Sequence, residues 1–320
     1  MTVQTGCFAN LGGRASADWV RVTAARHLSA EARSRTASAA LTLYYRLLEL
    51  ELKSDVLKSS LDEIDALVKA NDILVSRGFK ETADAYELKK QRIDLMGDRA
   101  RLRSGIQKLN AELKSLLAID PGNSGFLLPA DQVKVVPDPI DADQAVQAGL
   151  LRRNDLNLLR ALAGMADHRT TPAIRRVLIG LTPVLGAVVS QSAGDVPLMP
   201  FVSSMAKAES ASVRRQLQSL LQDREREAAK EIRTAVEEWG TARDLVVIAR
   251  KKFELGQERV TDFEKRQKVG QGVELDLRKA RLELLQSEAD LIGEIIKWKL
   301  ADVKAREAIG LLCGDEGCGK

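Results

Sequence analysis

Few side chains in this sequence could carry covalent or metal chemistry. There are three cysteines, Cys7, Cys313 and Cys318, and two histidines, His27 and His168. An odd number of cysteines near the termini is no disulfide framework. Cys313 and Cys318 can pair or stay free, and a tail over 313–320 with both free is expected. Two distant histidines are too few ligands for a metal site, and His168 in "ADHRTTP" reads as the end of a helix. The final "GCGK" has only the last residues of a phosphate loop, without the longer glycine pattern between a strand and a helix. Asp and Glu stand beside Lys and Arg at helical spacing, which surface ion pairs explain. The expectation is no enzyme, with no catalytic residue, no metal and no cofactor.

Chemistry being absent from the residue types, the elements carry the reading. The 320 residues are 29% charged and only 4% aromatic. That length holds two compact domains or one elongated body, and that composition suits long helices in contact along seams. A net charge of +4, with both signs interspersed, marks solvated helix faces and gives no case for nucleic acid. No run of about 18 apolar residues is present, so no transmembrane helix is expected. "MTVQTGCFANLGG" carries a Gly-Cys pair like the end of a bacterial lipoprotein signal, without the apolar core that precedes one. Either the true start lies upstream, and Cys7 is a candidate lipid anchor, or Cys7 is an ordinary cysteine.

Alternating four-three spacing, the sign of a coiled-coil seam, runs through four stretches. The first follows Leu43, Leu47, Leu50, Ser54, Leu57, Leu61, Ile64, Val68, Asn71 and Val75; the second follows Leu88 to Leu116. "SRGFKE" separates them, so an antiparallel hairpin with its tip at Arg77, Gly78 and Phe79 is expected, glycine adopting tight-turn angles at little cost. The third stretch follows Ala228, Ile232, Ala235, Trp239, Ala242, Val246, Ala249, Phe253, Gly256, Val260 and Phe263, and the fourth runs from Val273 to Leu312. Between them lies a second tip at Gly270, Gln271 and Gly272. Each arm should extend about 55 Å at 1.5 Å per residue.

The third arm alternates small and large along Ala235, Trp239, Ala242, Val246 and Ala249, a helix-packing seam that lets a neighbour approach closely. The fourth carries a second apolar line through Leu282, Leu285, Ala289, Ile292, Ile296 and Val303. A helix with two seams needs two neighbours. Lateral assembly of the arms supplies them, and so does a small monomeric bundle.

Prolines and glycines from Pro121 to Pro139 make an irregular linker in which "VKVV" reads as a short strand. Helix resumes at "DADQAVQAGLL", with Asp141 and Gln144 placed as a cap and its partner. The apolar, β-branched run "RRVLIGLTPVLGAVVSQSAGDVPLMPFVSSM" reads as a short β-hairpin or a buried crossover. Strand is expected only near 130–140 and 175–205.

The order of hairpin, linker, "AVQAGLLRRNDLNLLRA", apolar insert and hairpin resembles the outer-membrane efflux channel family typified by TolC. The central phrase, Ala145 to Ala161, is similar to the family's alanine, alkyl residues, Arg-x-Asp-Leu, leucine and arginine, with Arg153, Asp155, Leu156 and Arg160 in the matching places. "LLAIDPG" from Leu116 and "VGQGVELDLRKARLEL" from Val269 resemble its repeat junction and hairpin tip. The likeness covers residues 40–165 and 213–312, mainly the family's periplasmic helical part. It implies an all-α fold of two long antiparallel helical hairpins, with at most a short β-hairpin between them. The expected segments are an N-terminal segment 1–40, a first hairpin 41–120, a linker 121–140, a connecting helix and apolar insert 141–212, a second hairpin 213–312, and the tail. It also implies a homo-oligomer, trimeric in the family, in the periplasm or outer membrane. The hairpin tips would then meet a periplasmic adaptor and an inner-membrane pump. The other reading is a non-channel coiled-coil scaffold of the cell envelope, a relative without the membrane barrel.

Overall fold

The computed structural model describes residues 17–77, 83–120, 125–129, 140–181, 202–269 and 274–312. Seven helices occur among them, and no strand does: α1 (Ala17–Ser76), α2 (Ala83–Leu116), α3 (Ala142–Arg152), α4 (Asn154–Met165), α5 (Thr171–Leu181), α6 (Val202–Lys268) and α7 (Glu274–Ile309). The protein is all-α, built on two long helical hairpins, α1–α2 and α6–α7. It divides into two compact units. Unit 1 comprises Met1–Arg35, Asp143–Arg233 and Ala308–Lys320; unit 2 comprises Thr36–Ala142 and Thr234–Glu307.

In unit 2 both hairpins are antiparallel. Asp65 and Asp72 of α1 pair with Arg92 and Lys89 of α2, and Leu50 packs on Gly105. Glu238 and Glu264 of α6 pair with Lys304 and Arg281 of α7. The hairpins join through α1 and α7, also antiparallel: Ser38 Oγ donates to Glu307 Oε2 at 2.5 Å, and Arg278 Nη1 to Glu63 Oε2 at 3.1 Å. Ile64, Leu67 and Leu88 form a cluster covered by Leu275 and Leu282 of α7. The helix ends flanking the two turns therefore meet at one end of the unit. The turn residues Gly78, Phe79, Gly270, Gln271 and Gly272 lie outside the described residues.

The seams follow the spacing in the sequence. Leu47, Leu61 and Ile64 of α1, Leu88 and Leu113 of α2, and Ile296, Trp298 and Val303 of α7 are buried. Both seams of α7 find neighbours within the chain. Leu277 and Ala280 pack with Val260 of α6, while Leu282 packs with Ile64 and Leu67 of α1.

Unit 1 gathers the first turns of α1, the helices α4 and α5 and the start of α6. Its core holds Val20, Ala24, Leu158, Leu159, Leu162, Ile174, Leu178, Val213 and Leu217. Each large side chain so covered contributes about 1.5–3 kcal/mol relative to exposure. The first helix begins at Ala17, within the expected N-terminal segment 1–40. One part departs from the sequence reading. The strand expected from 175 is corrected over 175–181, which is α5, and over 202–205, which is α6; 182–201 and the strand expected over 130–139 lie outside the described residues. Ala173, Ile174, Val177 and Leu178 have the spacing of one helix face, and this face is buried. The turn before it is tied locally: Thr170 Oγ1 donates to the Met165 carbonyl at 2.6 Å and accepts from Asp167 N at 3.0 Å.

Candidate functional site

The central phrase forms a corner between α3 and α4 in unit 1. Arg153 stands between the helices and closes back on Asp155: Nε donates to Oδ1 at 3.0 Å and Nη2 to Oδ2 at 2.9 Å. Asp155 occupies the first turn of α4, where the helix dipole favours an anion, and accepts from the Leu156 backbone N–H at 2.9 Å. From α6, Arg224 Nε donates to Asp155 Oδ2 at 3.0 Å. Glu231 bridges the two arginines, taking Arg153 Nη1 at 2.6 Å and Arg224 Nη1 at 3.0 Å. Burial pushes the Asp155 carboxyl up, but the hydrogen bonds and charges of Arg153 and Arg224 outweigh it and hold the group below its ordinary range. Burial likewise opposes the Arg153 charge, and Asp155 and Glu231 more than restore it.

The rest of the phrase caps α3. A helix leaves its last carbonyls without partners. Arg160 Nη1 donates to the Leu150 carbonyl at 2.7 Å, and Asn157 Nδ2 to the Leu151 carbonyl at 3.2 Å. Arg160 Nη2 reaches Glu225 of α6 at 2.7 Å. Glycine allows the close approach behind the corner: a Cβ on Gly149 would stand 2.5 Å from Ile232 Cδ1 and 3.3 Å from the Cα of Ile309. Gly310 ends α7 with a left-handed φ of 77°, and a Cβ there would lie 3.4 Å from the Arg152–Arg153 backbone. The charged groups of the phrase are consumed in holding three helices together. The corner ties α3, α4 and α6 into one cluster of ion pairs. Its partners Arg224, Glu225 and Glu231 were not singled out from sequence, where they form part of an ordinary charged stretch.

Of the remaining sequence-selected residues, Arg77 sits exposed in the turn after α1. Cys7, Cys313 and Cys318 lie outside the described residues. On α6, Ala235, Trp239, Val246 and Ala249 are buried and Ala242 is half-buried. Trp239 meets Trp298 of α7, their ring centroids 6.3 Å apart. His168 lies in the turn before α5 beside the Asp167 carboxylate; among the described residues no cluster of three metal-ligating side chains forms.

Unit 2 also leaves two apolar lines exposed. Tyr86, Ile93 and Met96 lie along one face of α2, and Leu245, Ile248 and Leu255 along one face of α6. Steps of seven and three residues keep each set on one helical line. They were not picked out in the sequence, because each runs beside a stronger seam.

The sequence matches no family model and no curated protein. The structure does match solved ones. The Campylobacter jejuni CmeC outer membrane channel superposes with a TM-score of 0.64 at 14% identity, covering 94% of this chain and 67% of that one. The outer-membrane channel OprN gives 0.66 at 14% identity, covering 93% and 70%. The outer membrane protein VceC from Vibrio cholerae gives 0.61 at 13% identity, covering 92% and 74%. By its architecture the protein is an all-α protein of paired coiled hairpins. More specifically, it has the TolC-like fold shared by these outer-membrane channels.

Proposed function

We infer that the protein is a TolC-like component of an export conduit in the cell envelope, working at the periplasm or outer membrane. The observation that carries this reading is the likeness to outer-membrane channels over more than nine tenths of the chain. On this reading the described residues would form the helical wall of such a conduit. The wall works by packing and by a polar lumen rather than by covalent chemistry. Three copies would assemble side by side, the exposed line of α2 on one copy meeting that of α6 on the next. Such a head-to-tail contact closes into a ring when its rotation permits. The tips at Arg77, Gly78, Phe79, Gly270, Gln271 and Gly272 would meet a periplasmic adaptor coupled to an inner-membrane pump.

Export is tested in cells. Deleting the gene should raise intracellular accumulation of a fluorescent efflux substrate such as ethidium. Restoring the wild-type gene should reverse this, while the double variant Ile93→Lys, Ile248→Lys should not. Unchanged accumulation on deletion, across cationic, anionic and neutral dyes, would contradict the conduit. One observation favours a second reading, a coiled-coil scaffold of the envelope: both seams of α7 find neighbours within a single chain. Under that reading the double variant behaves as wild type.

A further inference from the structure

Unit 2 holds a groove that its helix contacts create. On α1, Leu50 packs on Gly105 of α2, and Glu63 accepts from Arg278 of α7. At 3.6 residues per turn these two positions stand about 140° apart around α1. The flanking helices therefore leave a trough between them, floored by α1. Its volume is about 720 Å³. Leu57, Leu95, Leu102, Leu282 and Leu285, drawn from all three helices, line it and are only half-buried. Gly105 lines it too; a Cβ there would lie 2.9 Å from Leu50 Cδ1, so glycine lets α2 close on α1 at this end of the trough.

The charged side chains lining the same groove are Lys53, Asp94, Asp98, Arg101 and Asp290. Both cations are already held by carboxylates: Lys53 Nζ lies 2.6 Å from Glu49, and Arg101 Nη1 lies 2.7 Å from Asp98. The nearby Lys297 is likewise held by Glu294 at 2.8 Å. Asp94 and Asp290 are exposed, and neither forms an ion pair among the described residues; Asp290 accepts from the Gln286 amide at 3.1 Å. Two carboxylates thus stay unneutralised over an apolar floor. Small-molecule sites commonly have about 300–1,000 Å³ and a mostly apolar lining with a few polar groups. A helix is about 10–12 Å across, so a groove of this volume holds under about two turns of one. We propose that the α1–α2–α7 groove binds a lipophilic organic cation, its apolar body on the leucines and its charge at Asp94 and Asp290. Attraction to a carboxylate is stronger beside apolar surface, where water screens it less. The site stands on the groove alone and does not depend on export.

The purified full chain is titrated by calorimetry with tetraphenylphosphonium and with tetraphenylborate, two lipophilic ions of like size and opposite charge. The cation should bind saturably at one site per chain, and the anion about tenfold more weakly or less. The double variant Asp94→Asn, Asp290→Asn changes only exposed positions and should weaken cation binding about tenfold or more. Asp62→Asn, exposed on α1 outside the groove, should leave it unchanged. No saturable cation binding, equal binding of the two ions, or unchanged binding in the double variant would overturn the proposal. Native mass is followed through the titration. Cation binding that occurs only as copies separate would mean that a second copy occupies the groove, and would overturn it too.

Discussion

The guanidinium of Arg153 holds both carboxylate oxygens of Asp155, two residues along the chain, at 3.0 and 2.9 Å. Arg224 and Glu231, reaching in from α6, complete the arrangement. A short sequence phrase thereby becomes a fixed corner, and its place between two long hairpins follows from what it joins.

Asp155→Asn removes the charge that both arginines share. The expected loss is about 1 to 3 kcal/mol, the scale of hydrogen bonds to charged groups, read by urea unfolding at neutral pH. The folded-state pKa of Asp155 lies below its ordinary value of 3.8. Its contribution is therefore fully present above that value and is lost as pH falls through the folded-state pKa. The gap between wild type and Asp155→Asn should stay constant from pH 7 to 5 and close in acid. A gap that widens in acid would contradict the assignment.

Gly149 and Gly240 should respond oppositely to alanine. At Gly149 the new methyl meets Ile232 and the Ile309 backbone, and overpacking of this kind costs about 1–3 kcal/mol. The double variant Gly149→Ala, Ile232→Val should recover part of that loss. At Gly240, within α6, a Cβ meets nothing within 4 Å. Alanine there should stabilise by about 0.4–1 kcal/mol. Thermal melts of the variants distinguish the two sites; equal effects would contradict the packing described.

Ala242→Leu tests where the small-and-large seam lies. Its neighbours Trp239, Val246 and Ala249 are buried within one chain. The expected outcome is a loss of about 1–3 kcal/mol from overpacking, with no change in native mass. A lost oligomer with unchanged melting of the subunit would instead place the seam between copies.

The hairpins were legible because each arm repeats its seam positions at strict four-three spacing, and most of these positions are buried or half-buried. The start of α1 was not legible. Its inward positions include Ala24, Ser34 and Ser38, all buried, and small or polar side chains give no hydrophobic rhythm. The insert up to Leu181 misled because β-branched residues favour strand locally, while Ile174 and Leu178 bury one helical face in the core of unit 1. The corner could be noticed but not explained. Arg153 finds Glu231 at a separation of 78 residues, and Arg160 finds Glu225 at 65, so only the fold brings them together. The exposed lines on α2 and α6 carry the same kinds of residue as the buried seams, and sequence spacing does not tell covered from uncovered.

The central claim is lateral assembly into a closed conduit, and photo-crosslinking tests it most directly. A photoreactive phenylalanine analogue replaces Ile248 on α6, and the protein is irradiated in intact cells. The account predicts products of two and three copies and no larger ladder, with the crosslink mapping to α2 near Ile93 and Met96. Crosslinks confined to single chains, or a ladder continuing past three copies, would contradict it.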